Sequence, residues 1–262
     1  RGVDVKLIFP SQSDSGLVFH AGRSHYEELL AGGVRIFERQ GALLHVRDPP
    51  TVNHRRPEPV AGRDGRVPGG SPGAPKRQPD LVLPRNHADT IVVLVHGEGN
   101  RKQMRGWADF YADQGYPTFA IDFLIAKPST PSPVYPKPET DVKAAVQYLR
   151  GRAGALALDP DRIVVQGFAT GAALGSQTEV TPNDPFFDAA AHYPSVSDAP
   201  AAFIGFYGRY DGHRSDQAKY YGGAPDSTDP QVQARYAEAD SIAHAAGAAG
   251  PTLLFQGDAD SP

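Results

Sequence analysis

The 262-residue chain has no cysteine, one methionine and one tryptophan. Without cysteine there is no disulfide framework, no thiolate zinc site and no cysteine nucleophile, and nothing to read about redox compartment. No run approaches the roughly 18 apolar residues of a membrane-spanning helix. An excess of basic residues is also missing. With 26 Lys and Arg against 30 Asp and Glu, the net charge of −4 gives no electrostatic case for nucleic acid or an anionic membrane. No signal-peptide pattern follows Arg1, which tilts the expected location to the cytoplasm. No internal repeat is evident, and the sequence calls for neither metal nor cofactor. Oligomeric state leaves no mark on it.

Glycine and proline, by contrast, are abundant, 28 and 25 residues or about a fifth of the chain. The usual share of the two together is near 12%. Hydrophobic residues make up 40% and charged residues 21%, enough for a real core. The composition divides the chain into three parts: patterned over 1–47, unpatterned over 48–80, and patterned again over 81–262. Residues Val3 to Phe9 alternate as a half-buried strand ended by Pro10. Ser24 to Ala31 reads as a short helix with Ser24 as N-cap and Glu27 three residues later. Val34 to Glu38 reads as a second strand, completing a βαβ unit too small to bury both faces alone. Residues 48–80 hold only five apolar side chains and several arginines, a solvated linker by composition.

The third part carries parallel-sheet signals. Ile91 to Val95 is an uninterrupted apolar run, as expected of a central strand covered on both faces. A helix is expected from Arg101 to Gln114, a strand from Thr118 to Asp122, and a proline-dense loop from Pro128 to Pro138. In Asp141 to Arg150, the positions of Val142, Ala145, Val146 and Leu149 predict an amphipathic helix. Arg162 to Gln166 is a strand leading into Gly167, with a helix starting near Thr170. Ala201–Phe206 and Thr252–Gln256 are further strands, and Asp229-Pro230 caps a helix running to about Ala246. Alternating strands and helices predict a doubly wound α/β sheet with its chemistry at the carboxyl ends of the strands.

Three segments could carry that chemistry. Gly167-Phe168-Ala169-Thr170-Gly171, between a strand and a helix, has the frame of a nucleophile elbow. Its middle position is Ala169, a methyl group with nothing to deprotonate; an ordinary tight turn explains the glycines equally well. His96-Gly97-Glu98-Gly99 follows the strongest strand, where backbone N–H groups can face a developing oxyanion. His96 there reads more readily as loop packing than as a base. Gln256-Gly257-Asp258-Ala259-Asp260 ends the last strand, where a carboxylate can orient a histidine; Asp260 is the better acid and Asp258 the alternative.

Order and spacing of these segments resemble the α/β-hydrolase superfamily, in particular its small carboxylesterases and its feruloyl-esterase-like and dienelactone-hydrolase-like members. The phrases Leu158-Asp159-Pro160-Asp161-Arg162-Ile163 and Phe206-Tyr207-Gly208-Arg209-Tyr210-Asp211 add to the likeness over 81–262. The resemblance implies a mostly parallel doubly wound sheet and a serine esterase acting on a small-molecule carboxylic ester. Its nucleophile position falls on Ala169, its acid on Asp260, and its oxyanion N–H groups on Gly97, Glu98, Gly99 and Thr170. It also places a histidine after the acid, and none of the nine histidines follows Asp260, the last being His244. His192 and His213 are loop residues whose place in the order argues against them. The expectation is therefore a hydrolase by lineage that is inactive or incomplete as written and truncated at its C-terminus. A binding-only pseudoenzyme is the alternative. Three accounts of Ala169 stand open: an introduced knock-out, a natural binding protein, and an error in a partial or joined gene.

Residues 1–47 resemble the stretch before the phospholipase D motif of cardiolipin synthases, carried by Gly2 to Lys6, Tyr26 to Leu30, Gly33 to Ile36 and Leu43 to Arg47. That motif implies a histidine attacking phosphorus, with a lysine and an aspartate nearby. Here His45 fits, Arg47 stands in for the lysine, and Val52 occupies the aspartate position. A phosphatidyltransferase fragment is thus the second alternative, as a broken half-site.

Overall fold

The computed structural model describes residues 6–10, 35–39, 80–188, 193, 195–212 and 217–257. Strands β1 (Lys6–Pro10) and β2 (Arg35–Arg39) pair in parallel, with Ile8 opposite Phe37. This is the pairing that the βαβ reading requires; the expected helix between them lies outside the described residues.

The main sheet has six strands. They are β3 (Asp80–Val82), β4 (Ile91–Val95), β5 (Thr118–Ile121), β6 (Ile163–Phe168), β7 (Ala202–Phe206) and β8 (Thr252–Phe255). Their order is β3-β5-β4-β6-β7-β8, with only the β3–β5 pair antiparallel. The α/β-hydrolase-type sheet expected from the sequence is thus present. β3 was not foreseen, because three residues are too short for an alternating pattern. Its first residue, Asp80, falls within the segment that composition assigns to the linker.

β4 sits at the centre, and all five of its residues are buried. Each such aliphatic side chain contributes about 1.5–3 kcal/mol over an exposed one, so this strand anchors the fold. One face of the sheet is covered by α2 (Lys137–Arg152) and α3 (Thr170–Val180), the other by α1 (Arg105–Asp113). A 3₁₀ turn, Arg101–Met104, precedes α1 and takes up the first four residues of the expected helix; Asn100 caps it, accepting from the Lys102 N–H at 3.1 Å.

α2 departs from the amphipathic expectation. Its apolar stripe does face the core, yet Glu139, Lys143 and Gln147, one turn apart, are buried too. Segments after α3 cover that second face. Lys143 donates to the Thr181 carbonyl and, at 2.9 Å, to Asp198, while Tyr220 donates to Glu139 at 2.7 Å. This stripe of polar residues is therefore a docking rail for the chain's own excursions. Those excursions include two short helices, α4 (Pro185–Asp188) and α5 (Gln217–Tyr221), and an aromatic cluster of Tyr135, Phe187, Tyr220 and Tyr221.

The last helix, α6, is Pro230–Ala239 and not the longer element running to Ala246. Asp240 stops it: its backbone turns extended, and its carboxylate accepts from the Ile242 and Ala243 N–H groups at 2.9 and 3.1 Å. His244, which the expected helix would include, lies beyond its end in a turn and is half-buried. No helix among the described residues is long and apolar enough to cross a membrane.

Candidate functional site

The elbow is built from backbone. At Ala169 the chain takes φ 48°, ψ −115° between β6 and α3. A non-glycine residue here costs on the order of 1–3 kcal/mol and persists only where the surroundings impose it. The surroundings are specific. The Ala169 N–H donates to the Phe206 carbonyl at 3.0 Å, and its own carbonyl accepts from Ala172 and Ala173 at 3.0 and 3.2 Å. A Cβ at Gly167 would fall 2.2 Å from the Gly171 carbonyl, and one at Gly171 would fall 2.3 Å from the His96 carbonyl. Only two glycines let β6, α3 and the end of β4 approach this closely. The ordinary tight turn that the sequence left open would not require that strained conformation.

The glycine loop lies directly against the elbow. A Cβ placed on Gly97 would be 3.2 Å from the Ala169 methyl and 3.1 Å from the Phe168 carbonyl. Gly99 has φ +116°, and Glu98 between them is exposed. Thr170 opens α3, so its N–H is among those with no acceptor inside the helix. Gly97, Ala169 and Thr170, three positions the sequence singled out, thus meet at the carboxyl edge of the two central strands, and Glu98 and Gly99 continue the loop from there.

His96 is fully buried and stacks on Phe123 at 4.5 Å, as the loop-packing reading of this residue expected. Its Nδ1 lies 2.8 Å from the Gly97 carbonyl and its Nε2 lies 3.4 Å from Asp122 Oδ1. Asp122, just past β5, also receives the Arg101 backbone N–H at 2.8 Å and the Arg101 guanidinium at 2.6 Å. Burial pushes the Asp122 carboxyl up, but the Arg101 hydrogen bonds, together with the Arg101 and His96 charges, outweigh it and hold it below the ordinary range. Sequence reasoning passed Asp122 over as a strand end. The available signal was a carboxylate closing a buried parallel strand beside a glycine-rich loop.

Beneath the elbow strand, Tyr111 donates to Gln166 at 2.5 Å, and burial pushes its phenol up to about 12. Trp107, Phe168, Phe206 and Phe255 form an aromatic stack across β6, β7 and β8. The register pairs Phe168 with Phe206 and Phe206 with Phe255, so the segment after β8 leaves the sheet on the elbow's edge. Asp258 and Asp260 in that segment lie outside the described residues, as do His192, His213, His45 and Arg47. Among the described residues no group of three His, Asp or Glu side chains is placed to hold a metal.

Comparison with known proteins follows the same division of the chain. A 47-residue stretch is 51% identical to cardiolipin synthase A of Escherichia coli O1:K1 / APEC and of Cronobacter sakazakii. It makes up 18% of this chain and spans about a tenth of those proteins (10%). Among solved structures, butyrate-bound Est2, an esterase of Thermogutta terrifontis, superposes with TM-score 0.54 at 16% identity, over 74% of this chain and 86% of that one. The bifunctional GH43-CE protein of Bacteroides eggerthii superposes with TM-score 0.54 at 21% identity, over 71% of this chain and 31% of that one. At these identities the likeness is one of fold. The BD-FAE family model matches residues 80–262, the whole six-stranded unit with its elbow and glycine loop. This chain therefore belongs to the BD-FAE family, on a sheet of the α/β-hydrolase type.

Proposed function

We propose that this chain binds carboxylic esters at the Ala169 corner and, as written, does not turn them over. An ester carbonyl set above Ala169 would direct its oxygen to the N–H groups of the Gly97–Gly99 loop and of Thr170. In the esterase mechanism a hydroxyl at position 169 attacks the carbonyl carbon, and those N–H groups stabilise the negative charge as it develops. A methyl has no lone pair to donate, so the attack is lost while the recognition groups remain. Removing a triad member leaves at most roughly 10³–10⁴-fold catalysis over water, from binding and the oxyanion hole alone. The observation that carries this reading is the strained elbow at Ala169, kept with no hydroxyl for it to present.

Two measurements test it. Titration calorimetry with butyrate, the acid found in the Thermogutta terrifontis structure, should show saturable binding to the chain as it stands. Hydrolysis of p-nitrophenyl butyrate by the chain as it stands should not exceed the buffer background. Absence of saturable binding overturns the recognition half of the reading. Turnover by the parent chain above the buffer background overturns the other half.

A further inference from the structure

The six-stranded sheet has two outer strands, and they are guarded differently. At one end β3 is three residues long and opens on a charged side chain, Asp80, two features that discourage a further strand. At the other end β8, Thr252-Leu253-Leu254-Phe255, has neither charge nor proline. Its main chain is open as well. The Pro251 and Phe255 carbonyls accept from the Phe203 and Tyr207 N–H groups at 3.1 and 2.7 Å, so these alternate residues turn to β7. Along a strand, the N–H and C=O of successive residues point to opposite sides. Thr252 and Leu254 therefore aim theirs out of the sheet, and no strand among the described residues ladders onto that side. β1 lies beside it: Cα atoms of β1 and β8 come within 8 Å of one another. β1 pairs only with β2, and a two-stranded unit of that size is marginally stable alone.

We propose that the outer edge of β8 is the docking site for the chain's own β1, which seats the β1–β2 unit there and screens the Thr252 and Leu254 main-chain groups from other strands. The covalent path allows it. β2 ends at Arg39 beside one end of the sheet, and β3 begins at Asp80 at the other. Residues 40–79 must therefore cross five strand spacings, about 24 Å at about 4.8 Å each. A chain of that length can reach up to about 130 Å, enough to pass around the helices on either face. Being tethered, β1 stays near this edge at a local concentration that a free second copy does not match. Pro10 closes β1 and Pro251 precedes β8; neither has an N–H to give, which keeps the mating stretch short. The stretch likened to cardiolipin synthases thus has a structural use here, with none of that family's chemistry asked of it. The proposal does not depend on ester binding.

The chain has no cysteine, so Leu254→Cys, at an exposed side chain, can carry a nitroxide at a single place. In the ¹⁵N-labelled full chain the nitroxide should broaden the Lys6 to Phe9 amides and leave those of β3, at the opposite edge, sharp. Reducing the nitroxide should restore the β1 signals. A mixture of ¹⁵N-labelled parent chain with nitroxide-bearing chain of natural isotope content should show no such broadening. A second measurement leaves β8 untouched. Ile8→Pro removes an N–H and bars the middle of β1 from strand pairing. Amide exchange at Thr252 and Leu254 should then speed roughly tenfold or more, while Leu253 and Phe255, which face β7, keep their protection. Sharp β1 amides in the nitroxide-bearing chain overturn the proposal. Equal broadening in the mixture overturns it too and assigns the edge to a second copy. Unchanged exchange at Thr252 and Leu254 in Ile8→Pro would show that β1 does not screen the edge, which also overturns it.

Discussion

The elbow corner and the β8 edge, two ends of one sheet, are held in different ways. At the corner, position comes from backbone: two glycines in van der Waals conflict with any side chain, a main-chain hydrogen bond on either side of Ala169, and a buried carboxylate behind the loop. At the edge, side chains add to the main-chain ladder between β7 and β8. β8 is only half covered, with Leu254 41% exposed, and it is held by the Phe206–Phe255 stack and by Glu179, which accepts the Gly250 N–H at 2.6 Å. A site can thus lose its reacting atom at the corner with no change of shape. The same economy is unavailable at the edge, where removing a side chain removes part of the support.

Substitutions at the two ends should separate these modes. The largest effect is expected from Gly171→Ala, whose methyl meets main-chain oxygens that cannot rotate away. Urea unfolding should show a loss of about 3 kcal/mol or more; a loss below about 1 kcal/mol would mean that the corner is soft. Phe206→Ala removes the middle ring of the edge stack. Because the ring is half-buried, the expected loss is about 1–2 kcal/mol, below that for a core phenylalanine.

How much of this was legible beforehand follows the same divide. The elbow and the glycine loop could be read because backbone requirements leave glycine at fixed spacing, as at Gly97, Gly167 and Gly171. Strand β4 could be read because five apolar residues in a row leave little alternative. Asp122 could not, since a single aspartate at a strand end has no pattern, and its partner Arg101 is 21 residues away in sequence. Nor could the buried Glu139, Lys143 and Gln147 of α2, whose polarity says surface until the covering segments are known. The end of α6 was missed because Asp240 stops it by local hydrogen bonding, against a sequence rich in alanine up to Ala246.

A smaller effect sharpens the picture of the edge. Glu179 is fully buried, and burial pushes its carboxyl up from 4.5 to about 7 against the opposing Gly250 hydrogen bond. A carboxyl raised on folding binds its proton more tightly in the native state. Stability from this group is therefore present at low pH and lost as pH rises from about 4.5 through about 7. The decrement should be about 1–2 kcal/mol after solvent screening. Glu179→Gln should flatten that part of the stability–pH curve, and an unchanged curve would remove Glu179 from the edge's support. The smallest effect belongs to Leu254→Ser on the exposed side of β8, expected within about 0.5 kcal/mol of the parent chain.

The proposed ester binding rests on one arrangement: donor N–H groups from the glycine loop and from the start of α3 converging on the space over the Ala169 methyl. Backbone amide shifts during a butyrate titration read that arrangement directly. Glu98 and Thr170 amides should move together along one saturable curve, with β8 amides beyond Phe206 unmoved. Shifts that stay linear in butyrate, or that leave Glu98 and Thr170 in place while others saturate, would contradict it.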